Sequence, residues 1–149
     1  MIVQPGGRSC PCGNHGCLEQ YISEPAVLSR YQELSGRTTV SIDDLVWSYN
    51  QKEADALAVV DEFTTYLACG INNLWNLFSP ECIILNSQLT AYLPQLLPEI
   101  LQKLSARFRA TCQLKLSTLQ DIGVLLGAAR VCISKYLGIE KLYFSGFQP

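Results

Sequence analysis

Three cysteines stand within eight residues near the start of the chain, in the run Cys10-Pro-Cys-Gly-Asn-His-Gly-Cys17. Cys10 and Cys12, one residue apart, can both face a single ion if the loop turns tightly. Gly13 and Gly16 let the backbone double back and bring Cys17 to the same point. Zinc takes thiolate and imidazole ligands in a tetrahedron, so three thiolates leave one position. The only histidine, His15, lies inside this loop and is the alternative ligand, closely hemmed by Cys12 and Cys17. Free thiols and a disulfide are the competing readings. A reducing cytosol disfavours the disulfide, and zinc is preferred over both. Three cysteine ligands typify closed, structural sites rather than catalytic ones.

The chain has seven cysteines in all. Cys69, Cys82, Cys112 and Cys132 are scattered singly among apolar residues and read as small buried hydrophobes. At 149 residues, 48% hydrophobic and 16% charged, the chain suits one globular domain. Its formal net charge of -2, with scattered basic residues, argues against direct nucleic-acid binding. No apolar run reaches the roughly 20 residues that span a bilayer. The N-terminus lacks the charged-then-apolar pattern of a signal peptide. A cytoplasmic setting without membrane partners is the expectation.

Residues 1–16 are rich in Gly and Pro and open on Ile2-Val3, which reads as a strand end running into a loop. Apolar spacing from Cys17 to about Leu34 predicts helix, broken near Pro25. Ser41-x-x-Asp44 is a capping-box variant that starts a short helix through Trp47 and Tyr49. The strongest helix runs from about Lys52 to Leu77 and is closed by Pro80. Cys82-Ile-Ile-Leu85 reads as a buried strand. A helix over about Tyr92 to Phe108, a strand over Gln113 to Leu116 and a helix over about Ile122 to Leu137 complete the order. That order is α/β. Two strands and a strand remnant make a poor sheet for so many helices, so the chain is expected to belong to a larger α/β unit.

The run from Cys10 to Glu19 resembles the CxCGxxGCxE signature of the ROK family, named for repressors, open reading frames and sugar kinases. Gln20-Tyr-Ile-Ser23 continues the similarity, as do Asn76-Leu-Phe-Ser-Pro80 before a strand and Gly127-Ala-Ala129 in the last helix. The resemblance implies a helix-rich C-terminal lobe of an actin-like, ribonuclease-H-like ATPase fold. Residues 1–19 would be its zinc-binding loop and residues 20–149 its helical and α/β lobe, within a fragment of a longer protein. It implies zinc on Cys10, Cys12 and Cys17. The fourth family ligand is a histidine from a Glu-x-Gly-His element expected upstream of Met1.

The resemblance further implies that Glu19 accepts a hydrogen bond from a sugar hydroxyl. From position alone, Glu19 reads as a solvated carboxylate in a helix's first turn. Family kinases resemble strand-Gly-Gly-Gly where this chain has Leu85-Asn-Ser-Gln-Leu89. Glycines let backbone N–H groups approach phosphate, so this departure favours the repressor branch, of the xylose-repressor type. The expectation is therefore a non-enzymatic region of a sugar-responsive repressor. It would bind a monosaccharide effector, form a homodimer, and reach DNA only through an N-terminal domain this chain lacks. A sugar-kinase fragment and a zinc-stabilised interaction module are the rivals. Asp43, Asp44, Asp55 and Asp61 read as helix-surface carboxylates without a nucleophile beside them. Trp47, Trp75 and the tyrosines are assigned to the core or a subunit interface. Gly127-Ala128-Ala129 is assigned to close helix packing.

Overall fold

A computed structural model describes residues 1–119 and 122–138. Helix α4 (Ala54–Phe78) is its axis. Its buried residues, including Ala56, Val60, Phe63, Leu67, Ile71 and Trp75, recur at three- and four-residue steps along one face. Ser79 ends it in the left-handed conformation at φ 45°, and Pro80 prevents its continuation. Helices α1 (Glu19–Ile22), α2 (Glu24–Ser35), α3 (Ile42–Asn50) and α6 (Leu96–Lys103) pack against it. Tyr31, Leu45, Phe63, Leu96, Ile100 and Phe108 form the centre of the core. The Tyr31 hydroxyl donates to Ser48 Oγ at 2.7 Å, which satisfies both buried polar groups.

Strands β1 (Cys82–Leu85) and β2 (Gln113–Leu116) pair in parallel, with Cys82 opposite Gln113 and Leu85 opposite Leu116. A parallel pair needs a crossover, supplied by α5 (Gln88–Tyr92), α6 and α7 (Ala106–Thr111). Helix α8 (Ile122–Leu137) follows β2. Ser41 caps α3 as expected: its hydroxyl accepts from the Asp44 N–H, and Asp44 accepts from the Ser41 N–H at 2.8 Å.

Several expectations are corrected. The helix expected from Tyr92 to Phe108 is three short helices. Pro94 bars helical geometry at Leu93, which sits at φ −121°, ψ 66°. Ser105 then turns extended and caps α7 by accepting from the Phe108 N–H at 3.1 Å. The expected break near Pro25 is present: it falls at Ser23 (ψ 148°), with Pro25 in the first turn of α2. β1 is buried on one face only: Ile83 and Leu85 face the core, while Ile84 is 65% exposed. Of the four scattered cysteines only Cys112 is buried; Cys82 lies on the open sheet face and Cys132 on α8, which has no buried residue. Trp75 is in the core, as expected, and Trp47 is exposed, which is compatible with the interface half of the expectation for the tryptophans. A Cβ added at Gly127 would meet nothing within 4 Å, so close helix packing is not its role among the described residues.

Candidate metal centre

Residues 1–18 form a loop pinned by two isolated antiparallel bridges, Ile2 with Cys17 and Ser9 with His15. The Gly16 carbonyl accepts from the Val3 and Gln4 N–H groups at 2.8 and 3.2 Å, and its own N–H donates to the Arg8 carbonyl at 2.7 Å. Gly16 has φ +73°, and a Cβ there would overlap the Gln4 carbonyl oxygen. Only glycine meets both conditions. Between Cys10 and Asn14 the chain closes on itself: the Cys10 N–H donates to the Asn14 carbonyl and the Gly13 N–H to the Cys10 carbonyl, both at 2.9 Å.

This folding gathers the three thiols. Cys12 Sγ lies 3.3 Å from Cys10 Sγ and 3.6 Å from Cys17 Sγ. All three sulfurs fall within 4.8 Å of one another, and they form the one group among the described residues suited to a metal ion. Zn–S bonds of about 2.3 Å at tetrahedral angles set sulfurs roughly 3.8 Å apart, so the donor set and its spacing fit a zinc ion. His15 stays outside the group; its side chain is exposed and its backbone pairs with Ser9. The three candidate ligands gathered by the loop therefore do not include it.

The electrostatics of the cluster are those of thiols in competition. The Asn14 backbone N–H, with further hydrogen bonds from Cys10, the Asn14 side chain and Cys17, pulls the Cys12 thiol down to about 7. The hydrogen bond with Cys10, then burial, pushes Cys17 up to about 11. A bound cation would hold all three as thiolates. Two amides stand behind the sulfurs: Asn14 Nδ2 lies 3.5 Å from Cys12 Sγ and Gln20 Nε2 lies 3.8 Å from Cys10 Sγ.

The loop delivers Glu19 directly. Leu18, between Cys17 and Glu19, packs on Gly70 of α4, where a Cβ would come within 2.6 Å of Leu18 Cδ2. Glu19 then opens α1 with its side chain exposed. It borders two clefts. One, of about 480 Å³, is mostly apolar and is lined by Leu18, Ile22, Phe63 and Leu67, together with Asn86 and Ser87 at the end of β1. The other has a mixed polar and apolar lining that includes Arg8, Gln20 and Arg30.

Sequence reasoning missed the supports of this arrangement. Gly70 was legible in principle, since a glycine inside a long helix marks a close approach. Arg8 was not: its carboxylate partner, Glu62, lies 54 positions away.

A family model described as "ROK family" matches residues 1–135. The xylose repressor of Bacillus spizizenii is 30% identical over 146 residues, which cover 95% of this chain and 38% of that protein. The N-acetyl-D-glucosamine kinase of Yersinia enterocolitica is 28% identical over 129 residues, covering 85% of this chain and 42% of that protein. The chain thus spans well under half the length of these relatives. Among solved structures, a ROK hexokinase from Thermus thermophilus superposes with a TM-score of 0.71 at 23% identity, covering 91% of this chain and 47% of that one. A ROK family transcriptional regulator, described as a homolog of the E. coli MLC protein, gives a TM-score of 0.68 at 27% identity, covering 93% and 38%. The helix-rich α/β architecture is that of the C-terminal lobe of the actin-like ATPase fold. No described helix is long and apolar enough to cross a membrane. With the signature loop closed around its three thiols and the family model running from Met1 into α8, the chain belongs to the ROK family.

Proposed function

We propose that this chain is the effector-binding and dimerisation region of a sugar-responsive ROK-family repressor, working in the cytoplasm as a homodimer. The observation that carries this reading is the turn after β1. The chain leaves Leu85 through Asn86 and Ser87, with Ser87 extended at φ −144°, ψ 136°. Side chains stand where glycines would let backbone N–H groups approach a nucleotide phosphate. The match to xylose repressors over nearly the whole chain supports the same branch. The kinase reading has its own support, because N-acetyl-D-glucosamine kinases match at almost equal identity.

In this reading Cys10, Cys12 and Cys17 are three ligands of a structural zinc ion, which supplies a cross-link for the loop when bound. Gly13 and Gly16 shape the loop, and Leu18 seats it on Gly70. Glu19 then points its carboxylate at the cleft mouth and accepts a hydrogen bond from a sugar hydroxyl. Sugar binding changes lobe closure and dimer geometry, and the altered spacing of separate DNA-binding domains releases the operator.

The test uses the intact protein. Titrated with candidate monosaccharides, it should lose operator affinity, and Glu19→Ala should weaken sugar binding by calorimetry. Unchanged operator affinity at saturating sugar sinks the repressor reading. ATP-dependent sugar phosphorylation moves the assignment to the kinase branch. Absence of any sugar binding leaves a zinc-stabilised interaction module. Unaltered sugar affinity in Glu19→Ala removes Glu19 from the site.

A further inference from the structure

Arg8 sits in the glycine-rich loop two residues before the first thiol, yet almost every bond it makes leaves the loop. Its Nη2 donates to Glu62 Oε1 of α4 at 2.7 Å, and its Nη1 donates to the Gln20 carbonyl of α1 at 2.9 Å. Its backbone N–H donates to the Tyr21 hydroxyl at 3.0 Å, and its guanidinium lies 4.6 Å from the centre of the Tyr21 ring. Tyr21 in turn stacks on Tyr66 of α4 with ring centres 4.0 Å apart. Glu62 is held on its other oxygen by Arg30 of α2 at 3.1 Å. A planar guanidinium is suited to this work, because it can pair, donate sideways and stack at once. Both ends of the Arg8–Glu62 pair are about two-thirds or more shielded, at 31% and 25% side-chain exposure, so solvent competes only partly.

Gln20 closes the circuit. Its carbonyl is fixed by Arg8, while its side-chain Nε2 reaches back to Cys10 Sγ at 3.8 Å. One residue thus touches both the clamp and the sulfur cluster, and it is the immediate neighbour of Glu19. We propose that Arg8 is a positioning residue for the thiolate centre. It holds Gln20 so that its amide N–H supports the Cys10 thiolate, and it ties the loop to α1 and α4. Nothing in this role requires Arg8 to touch metal or sugar. Outer donors of this kind orient ligating groups and tune how tightly an ion is held. The inference rests on the metal reading above but not on the sugar reading.

The experiment loads the intact protein with zinc or cobalt(II). It follows zinc release to a chromophoric chelator and records the sulfur-to-cobalt and ligand-field bands. Arg8→Met should speed zinc release about tenfold or more and shift the cobalt spectrum. Glu62→Gln should move both readouts in the same direction, because it frees the guanidinium. Gln20→Ala should shift the cobalt spectrum while leaving the Arg8–Glu62 pair in place, and it keeps the proposal open to test if Arg8→Met fails to fold. Arg37→Met breaks an ion pair to Glu53 elsewhere on the surface and should leave both readouts alone. Spectrum and release rate unchanged in Gln20→Ala and Arg8→Met overturn the proposal, as does an equal effect of Arg37→Met. Wild-type protein that takes up neither ion overturns the metal reading itself, and this inference with it.

Discussion

Gly16→Ala separates a loop built for three thiols from a loop that merely contains them. The alanine would carry φ +73°, and the left-handed region costs an ordinary L-residue about 1–2 kcal/mol. Its Cβ would also overlap the Gln4 carbonyl oxygen, which is backbone and cannot swing aside. Moving Gln4 away gives up the bonds from the Val3 and Gln4 N–H groups to the Gly16 carbonyl. Each such bond is worth about 1 kcal/mol. Strain and the two lost bonds together come to roughly 3–4 kcal/mol. In the zinc reading, a bound ion would add to the contacts that hold the loop, so the cost is read in ion affinity. At about 1.4 kcal/mol per tenfold, zinc affinity should fall by roughly a hundredfold to a thousandfold. Gly13→Ala is the internal control: it shares the positive φ, at +86°, but its Cβ meets nothing within 4 Å. It should lose only about tenfold. Chelator competition measures both affinities, and far-UV circular dichroism should show a helical core that melts as in wild type. Equal losses for the two variants, or wild-type affinity in Gly16→Ala, would show that the close packing against Gln4 does not govern the site.

Other consequences are open to measurement. Phe108→Ala empties a fully buried site edge-on to Trp75, with ring centres 5.9 Å apart; denaturant unfolding should report a loss of about 3–5 kcal/mol. Hydrogen bonds from the Ser41 hydroxyl and N–H hold the Asp44 carboxyl below its ordinary value. A depressed carboxylate stabilises the fold above its unfolded pKa of about 4 and loses that contribution as pH falls through the lower folded value. Acid unfolding should therefore begin at higher pH in Asp44→Asn, and an unshifted acid limb would rule out the cap's contribution. Removing zinc with a chelator should loosen the loop while leaving α4 helical, which amide exchange can follow residue by residue; loss of protection throughout α4 would contradict that separation.

Where sequence signals were local, they were reliable. The capping box at Ser41 and Asp44 involves groups three residues apart, and both of its hydrogen bonds form. The strands over 82–85 and 113–116 and the helix over 122–137 were read at the bounds the structure has. Failures came where local signals competed or where the deciding partner was distant. Between Tyr92 and Phe108 the helical apolar spacing is genuine, but non-helical backbone at Leu93, before Pro94, and at Ser105 interrupts it, which spacing alone does not reveal. The run Cys82-Ile-Ile-Leu85 is apolar at every position and so reads as buried on both faces. Only pairing and packing distinguish Ile83, against the core, from the exposed Ile84. The three thiols could be grouped from spacing and glycines, whereas the charged clamp joining Arg8, Glu62 and Arg30 could not, because three separate segments supply it.

That distant clamp bears on why a sulfur cluster sits beside Glu19 at all. Helix α1 is four residues long, far below the length at which a helix sustains itself, since the first turn costs more than it returns. Glu19 opens this helix, and the Leu18 cap makes no side-chain hydrogen bond to it. Its position is therefore set from outside. The structure provides three anchors around it: the Cys17 thiol before it, Leu18 against Gly70 beneath it, and Arg8 on the Gln20 carbonyl after it. The last two are present in the protein fold alone. An ion on the thiols would lock the first, so metal loading should reduce the freedom of Glu19 more than that of Glu24 or Glu33, which lie on the longer helix α2. Side-chain order measured by NMR with and without zinc makes that comparison directly. Equal changes at all three glutamates would mean that the thiol centre stabilises the lobe generally and does not position the carboxylate at the cleft.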